Sequence, residues 1–497
     1  MRGMKTLMKS SSIGYIASDT PPSTEYAYVF LKKEEGIKPL QYLVAKTKRN
    51  GKEYGVILRV QKIISIDKAS RSAVIDLEEK TGLRLPEKLY EQLPGRYKLA
   101  KTEVIDAYEV SNDEGTIKVR VLGPSIPPEP RAPVYPIDEI AMRVLTKKVE
   151  HPLLIGKLVG SSVPVALEAN DLLRHVCILG GTGTGKSWLR GVLMEELAKL
   201  KIPQVNFDYL GEYVEATEQL GGINLTLGED YRPRLDMLSP REFSLMIQNY
   251  VPTPFQLAIA QQGFADFRRR SLNALQPLPP SKLIDYIRAA AISYNAREDT
   301  LQNVTSRVKA FLQDFDIFGE SIDWKHYLEK YKLINIVFEY ADEDLIRIGV
   351  AATLKELMIL RRLKKIPCLI TSFEEAHMII PRGEKSIASV VVKRLLRYGR
   401  HLGIGVILIT QKPNSIDQEG VSMPATKIVF ALSHDELRYM RGLFSDLGEE
   451  IYRRIPKLEV GTAVISGTYD ILRHSLYVRI RSDRKTKHGG ETPRLLP

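Results

Sequence analysis

The segment Gly180-Gly181-Thr182-Gly183-Thr184-Gly185-Lys186-Ser187 reads G-x-x-x-x-G-K-S. The apolar run Val176-Cys177-Ile178-Leu179 precedes it, and helix-forming residues from Trp188 to Lys199 follow. A strand that ends in a glycine-rich turn and opens a helix aims consecutive backbone N–H groups, and the positive end of the helix dipole, at one point. A triphosphate suits that point. In such a loop Lys186 would reach the β and γ phosphates and Ser187 would hold Mg²⁺. Gly181, Thr182, Gly183, Thr184, Gly185 and Trp188 complete the candidate nucleotide contacts of the motif. The presence of both flanking elements favours a phosphate-binding loop over a turn that merely tightens a connection.

At 497 residues the chain is too long for a single core, and roughly 150 residues per domain predicts two to four domains. The formal net charge of +12 makes a polyanion a natural partner, because each phosphate contact releases counterions; a solvated lysine-rich surface is the alternative. Cys177 and Cys368 both sit in apolar runs expected to be buried strands, which supports neither a disulfide framework nor a metal cluster. No apolar run approaches the length of a membrane span, and Met1 to Ser12 has no apolar core after its basic residues. The expectation is a cytoplasmic protein with no membrane segment.

From Ile13 to about Val121 short runs rich in Tyr, Val and Ile alternate with turn residues. The strand candidates are Ile13–Ala17, Tyr26–Leu31, Tyr42–Lys46, Tyr54–Ile64, Tyr97–Val110 and Ile117–Leu122, with a hairpin signal at Asn50-Gly51 and room for a helix around Pro86–Gln92. Short strands at this spacing predict a small β-barrel over residues 1–122. The proline-rich stretch 123–150 is expected to be a stiff linker, since proline continues neither a helix nor a central strand. Beyond it, apolar strands alternate with helices, the pattern of a parallel sheet covered on both faces. The expected strands are Val176–Leu179, Gln204–Phe207, Leu333–Phe338, Cys368–Phe373, Gly405–Ile409, Lys427–Leu432 and Thr462–Ile465. The fold class is therefore α/β, a RecA-like P-loop ATPase core over 151–239 and 319–480. A helical subdomain at 240–318 interrupts it, and 481–497 is expected to be a flexible basic tail.

Hydrolysis needs acid at a second strand end. The run from Cys368 to Phe373 leads into Glu374-Glu375-Ala376-His377, where Glu374 would anchor Mg²⁺ and Glu375 would polarise the attacking water. Adjacent carboxylates at the end of a buried strand are costly without a cation between them. Asp208 ends another apolar run and opens Asp208-Tyr209-Leu210-Gly211-Glu212-Tyr213; Gln411 follows Ile407-Leu408-Ile409-Thr410. Each is either a ligand-facing group at the carboxyl end of the sheet or a local cap. The loop Pro381–Ser386 has the glycine and basic residues of a phosphate-gripping loop, and is equally well read as a solvated one.

Taken together, the P-loop, Asp208–Tyr213, Phe373–His377, the run Arg397 to Pro413 and Val460–Gly467 resemble the HerA family of archaeal and bacterial DNA translocases, relatives of FtsK. Ile13-Gly14-Tyr15, Ile155–Leu158 and Pro240–Ser244 extend the resemblance over nearly the whole chain. It departs from the family pattern at Thr410-Gln411-Lys412-Pro413, where S-Q-R-P is common, and at Trp188, where a small or polar residue is common. The resemblance implies a hexameric ring that threads double-stranded DNA without regard to sequence, driven by ATP and Mg²⁺, in DNA end processing with a NurA-like nuclease. By motif position it assigns Arg400 to the neighbouring subunit's nucleotide, and Arg174, Glu212, Arg479 and Ile480 to nucleotide contacts. A nucleotide-gated ring scaffold that loads a nuclease or effector is the competing expectation.

Overall fold

The computed structural model describes residues 11–18, 20–32, 36–49, 52–67, 96–113, 116–146, 149–339, 341–441, 449–468 and 470–486. The Asn50-Gly51 turn, the Pro86–Gln92 segment and residues 487–497 of the expected tail lie outside them. The chain forms two compact units. One comprises Met1–Val149, Gly156–Ala166 and Val464–Ile480; the other comprises Glu150–Ile155, Leu167–Ala463 and Arg481–Pro497.

In the first unit β1 (Gly14–Ile16), β2 (Tyr26–Leu31), β3 (Tyr42–Arg49), β4 (Lys52–Asp67), β5 (Arg96–Asp113), β6 (Thr116–Val121) and β7 (Pro133–Pro136) pair antiparallel in the order β2-β1-β7-β3-β4-β5-β6. A further pairing of β2 with β5 closes a six-stranded barrel, and β6 lies outside it against β5. Closure removes the free strand edges that would otherwise template association. Alternation sends Ala27, Val29 and Leu31 of β2, Leu43 and Ala45 of β3, and Val56, Leu58 and Val60 of β4 into one core. Register shifts at Ile57/Leu58 and Val60/Lys62 bend the long β4 around that core. The strands approach closely at β1: a Cβ on Gly14 would stand 2.1 Å from the Phe30 carbonyl oxygen.

The proline-rich stretch departs from the expected linker. It contributes β7, which pairs with β1 and β3 and buries Val134 completely. Proline is excluded from a central strand because it cannot donate to the ladder, but here Pro133 and Pro136 occupy the strand ends and Val134 and Tyr135 between them keep their N–H groups. A helix, Glu139–Leu145, follows, capped by the Asp138 side chain on the Ala141 amide. β8 (Pro152–Leu158) and β9 (Pro164–Glu168) then lead toward the second unit.

The second unit is built on β10 (Val176–Leu179), β11 (Gln204–Asp208), β12 (Ile223–Thr226), β13 (Leu333–Val337), β14 (Leu369–Phe373), β15 (Ile404–Thr410) and β16 (Thr426–Val429). They are parallel, in the order β12-β13-β11-β14-β15-β10-β16. The central strands are buried from end to end because helices cover both faces, which is why they read as continuous apolar runs. The edge strand β12 escaped the sequence reading. Of its four residues only Leu225 is buried, so it carries no apolar run. Residues 240–318 are helical, in Pro240–Ile247, Pro254–Leu272, Leu283–Ser293 and Glu298–Asp314. The first of these opens on a capping box between Ser239 and Glu242 with proline at the first turn. β17 (Thr462–Gly467) and β18 (Leu476–Ile480) end the described strands, and β18 pairs antiparallel with β8 through Val478 and Leu158.

Two further expectations change. Cys368 is exposed just ahead of β14, whereas Cys177 is buried and its thiol pKa is pushed up to about 12 by burial. Residues 481–486 are not a loose tail: Arg481 pairs with Glu195 at 2.6 Å and Arg484 is buried. Among the described residues no helix is long and apolar enough to cross a membrane.

His175, just before β10, is buried; its Nε2 lies 3.0 Å from the Leu396 carbonyl oxygen and its Nδ1 accepts the Val406 amide at 3.1 Å. Nδ1 must stay unprotonated to accept, and burial holds the imidazole pKa down at about 4, below the ordinary 6.5. As pH falls below about 6.5 the unfolded chain takes up this proton and the folded chain does not. Stability is therefore full above that range and is lost progressively down to about pH 4, by up to about 3 kcal/mol from this group. Urea unfolding against pH should show a shallower acid decline for His175→Asn than for the unaltered chain; parallel declines would refute the assignment.

Candidate functional site

The loop from Gly180 to Gly185 leaves β10 and turns into the helix Lys186–Lys199. Gly183 and Gly185 take φ of 72° and 118°, which side chains rarely adopt, so the loop depends on glycine at these positions. Gly185 caps the helix with no side-chain hydrogen bond, which leaves the first-turn amides directed into the loop. Its shape is pinned from outside: the Gly181 amide donates to Ala431 O at 2.7 Å and the Gly461 amide to Thr184 O at 2.9 Å. Lys186 is buried and its ammonium donates to Gly181 O at 2.7 Å. Burial lowers the Lys186 pKa against the opposing pull of Glu375 and Glu374. Ser187, half-buried, stands in the first turn.

Glu374 follows β14 directly, and Glu375 takes the left-handed conformation at φ 42° as the chain turns into the short helix Ala376–Ile379. Glu374 Oε1 accepts the Tyr213 hydroxyl. Glu375 faces the other way: its Oε1 accepts the Gln411 side-chain amide and its Oε2 lies 3.2 Å from His377 Nδ1. Burial alone would raise the Glu375 pKa, but His377, the Gln411 hydrogen bond and Lys186 outweigh it, and the net shift is downward. Gln411 Oε1 in turn accepts the Thr182 hydroxyl of the P-loop. Thr182, Gln411 and Glu375 thus form one hydrogen-bonded chain across three strand ends, with His377 beside its last member.

Asp208 behaves as a cap. Its carboxylate accepts the amides of Glu212 and Tyr213, at 3.0 and 2.9 Å, and the Asn335 side chain at 3.1 Å, and so shapes the loop after β11. Glu212, held there, has its pKa pushed up to about 7 by burial and by Glu374 and Asp208. The balancing cation is Arg190, which sequence reading missed. It lies one turn beyond Lys186 on a helix buried nearly all round, so no polar stripe marks it. Arg190 is 1% exposed, stacks on the Tyr213 ring at 3.7 Å and places Nη1 3.4 Å from Glu374 Oε1. None of its nitrogens makes a hydrogen bond.

Trp188 turns to the C-terminal segment: its indole N–H donates to Arg481 O at 2.8 Å. Arg174 precedes β10 and so lies at the amino edge of the sheet, opposite the P-loop, with a strand of roughly 13 Å between them. Arg400 lies at that same edge, at the end of the helix Ile387–Leu402, where Gly399 packs on His175 and Gly403 opens β15. Strand direction therefore keeps both arginines from the nucleotide of their own P-loop. Arg479, exposed, and Ile480, buried, are on β18 in the first unit.

Residues 153–357 match the family described as Helicase HerA, central domain. The DNA double-strand break repair helicase HerA of Sulfurisphaera tokodaii is 27% identical over 75% of this chain and 77% of its own length. A probable helicase of Methanocaldococcus jannaschii is 28% identical over 76% of this chain and 75% of its own. The structure of VirB4 of Thermoanaerobacter pseudethanolicus superposes with a TM-score of 0.51 at 15% identity, covering 66% of this chain and 96% of that one, which shows a shared fold. The P-loop, the acidic end of β14 and these relatives mark the chain as a P-loop ATPase that is similar to the HerA helicases, with residues 153–357 carrying the match to their central domain.

Proposed function

We propose that this chain is an ATP-driven translocase of double-stranded DNA, working as a ring of identical subunits whose hydrolytic sites are each completed by a neighbour. The observation that carries this reading is the separation within one chain: Lys186, Glu374, Glu375 and Gln411 meet at the carboxyl edge of the sheet, while Arg400 stands exposed at the amino edge. A γ-phosphoryl transition state spreads charge over its oxygens, and an arginine directed at it is worth about 10³ or more in rate. Arg400 can supply that charge only to another copy.

Within one chain the roles follow from geometry. The open amides of the loop and the Lys186 ammonium take the phosphates. Ser187 and Glu374 are hard oxygen donors suited to Mg²⁺, which when bound neutralises charge between the β and γ phosphates. Glu375, kept ionised, accepts a hydrogen bond from the attacking water and orients it. Gln411, joined to Thr182 and Glu375, ties the water-orienting carboxylate to the P-loop. Arg190, with Nη1 3.4 Å from Glu374 Oε1, supplies the nearby counter-charge. The relatives named as DNA repair helicases and the net charge of +12 support duplex DNA as the track, and a NurA-like nuclease is the corresponding partner.

Three outcomes test this reading. Arg400→Ala and Glu375→Gln should each keep ATP binding and lose turnover. Mixing the two should restore activity at interfaces with an intact Glu375 and an intact Arg400, once labelled subunits show exchange; an Arg400→Ala protein with normal turnover would rule out the shared site. Duplexes of equal length and unrelated sequence should bind alike. Their affinity should fall by about 10³ between about 50 and 200 mM salt if about six phosphates are held, and a strong preference for one sequence contradicts the track. Arg190→Met should cost roughly 3 kcal/mol in stability, since it leaves the half-buried Glu374 and the buried Asp208 without this cation, and Arg190→Lys less; equal unfolding midpoints for both variants and the unaltered chain would remove Arg190 from this role.

A further inference from the structure

We infer that Arg481 and Arg484, outside every nucleotide-binding motif, are positioning residues for nucleotide binding that act by strapping the P-loop helix in place. This rests on the P-loop site described above and extends it to the chain's C-terminal segment. Residues 481–486 run along the helix Lys186–Lys199 and grip it at two levels. At the first turn, the residue next to Ser187 is held: the Trp188 indole N–H donates to Arg481 O at 2.8 Å, and the Arg484 guanidinium lies 5.0 Å from the Trp188 ring centroid. Two turns on, Glu195 Oε1 accepts the Lys485 and Thr486 amides at 2.7 and 2.8 Å and the Thr486 hydroxyl at 2.9 Å. Glu195 Oε2 accepts Arg481 Nη2 at 2.6 Å, and Glu196 Oε1 lies 3.3 Å from the same nitrogen.

Between these levels Arg484 occupies the space beside Gly191, where a Cβ would stand 2.4 Å from its Nη1. Its Nε donates to the Thr486 carbonyl and hydroxyl oxygens at 2.9 and 3.0 Å, while Nη1 and Nη2 are buried without a hydrogen bond. The guanidinium is thus spent on the Trp188 face and on packing against Gly191. A surface charge would keep its nitrogens in water. The arrangement also gives Trp188 a physical reason at a position where a small residue would offer the strap neither a ring nor a donor.

A helix clamped at its first turn and again two turns on cannot rock, so the amides, Lys186 and Ser187 at its start keep one geometry. These groups contact phosphates in the ground state and in the transition state alike. Loosening the strap should therefore weaken nucleotide binding more than it slows the chemical step.

The test compares the full-length protein with Arg484→Ala, Arg484→Lys and Trp188→Phe. It measures tryptophan emission, ADP binding by calorimetry and steady-state ATP turnover. The other tryptophan, Trp324, is buried against Tyr231 and contributes equally to the unaltered chain and the Arg484 variants. Arg484→Ala should shift the Trp188 emission and raise both the ADP Kd and the KM for ATP by about fivefold or more, with kcat within about twofold. Arg484→Lys should fall between, keeping a cation on the ring and losing the paired Nε contacts. If Arg484→Ala does not fold, Trp188→Phe, which keeps a ring and loses the N–H donor, should show a smaller rise in Kd and KM. Emission that reports a released strap together with unchanged Kd, KM and kcat overturns the inference. An unaltered protein that binds ADP without turning over ATP would instead contradict the hydrolytic reading, and the calorimetric comparison would still decide the strap.

Discussion

The pairing of buried opposite charges at the carboxyl edge of the parallel sheet constrains the rest of the second unit. Lys186 and Arg190, one turn apart on the same helix, meet Asp208 and Glu212 after β11 and Glu374 and Glu375 after β14. An unpaired buried carboxylate neutralises itself by taking a proton, so the helix can pack only where its cations reach the acids. The pairing is incomplete. Four carboxylates meet two cations, and burial, with Glu374 and Asp208 beside it, raises the Glu212 pKa to about 7. Such an excess, with a hydroxyl and a carboxylate among its oxygens, suits a divalent cation.

Parallel strands have a direction, and here it separates tasks. The loops after β10, β11, β14 and β15 gather at one edge, and the hydrogen-bonded chain from Thr182 through Gln411 to Glu375 crosses between three of them. The segments that enter β10 and β15 gather at the other edge, where Arg174, His175 and Arg400 lie. The helix Ile387–Leu402 runs from the acidic edge to the arginine edge. A site that needs both sets of groups therefore needs two copies of the chain. The barrel of the first unit has the opposite character. Its closed sheet leaves no long edge, and its interior is filled by aliphatic side chains.

The C-terminal segment shows how a residue that looks out of place can be local in cause. Trp188 departs from the pattern of its motif, and its partners lie about 300 residues on, at Arg481 and Arg484. Neither end announces the other. The ion pair of Arg481 with Glu195 and Glu196 likewise joins residues that each read as ordinary surface charge.

The amino-acid sequence by itself determined the elements whose cause is local. Continuous apolar runs marked the central strands, glycines at left-handed positions marked the phosphate loop, and adjacent glutamates at the end of an apolar run marked the second acidic strand end. Their strand ends were found within a residue or two because burial on both faces leaves no other reading. What sequence left open was decided by tertiary structure, for a common reason: the deciding partner was distant in the chain. Asp208 became a loop cap because Asn335 and two amides converge on it. Arg190 became the counter-charge to Glu374 because β14 lies beside the P-loop helix. The proline-rich stretch became a strand because β1 and β3 left a slot four residues long, with prolines needed only at its ends. Local patterning specifies where a chain turns and which face it buries; which charges neutralise one another is settled only when the fold brings them out of water together.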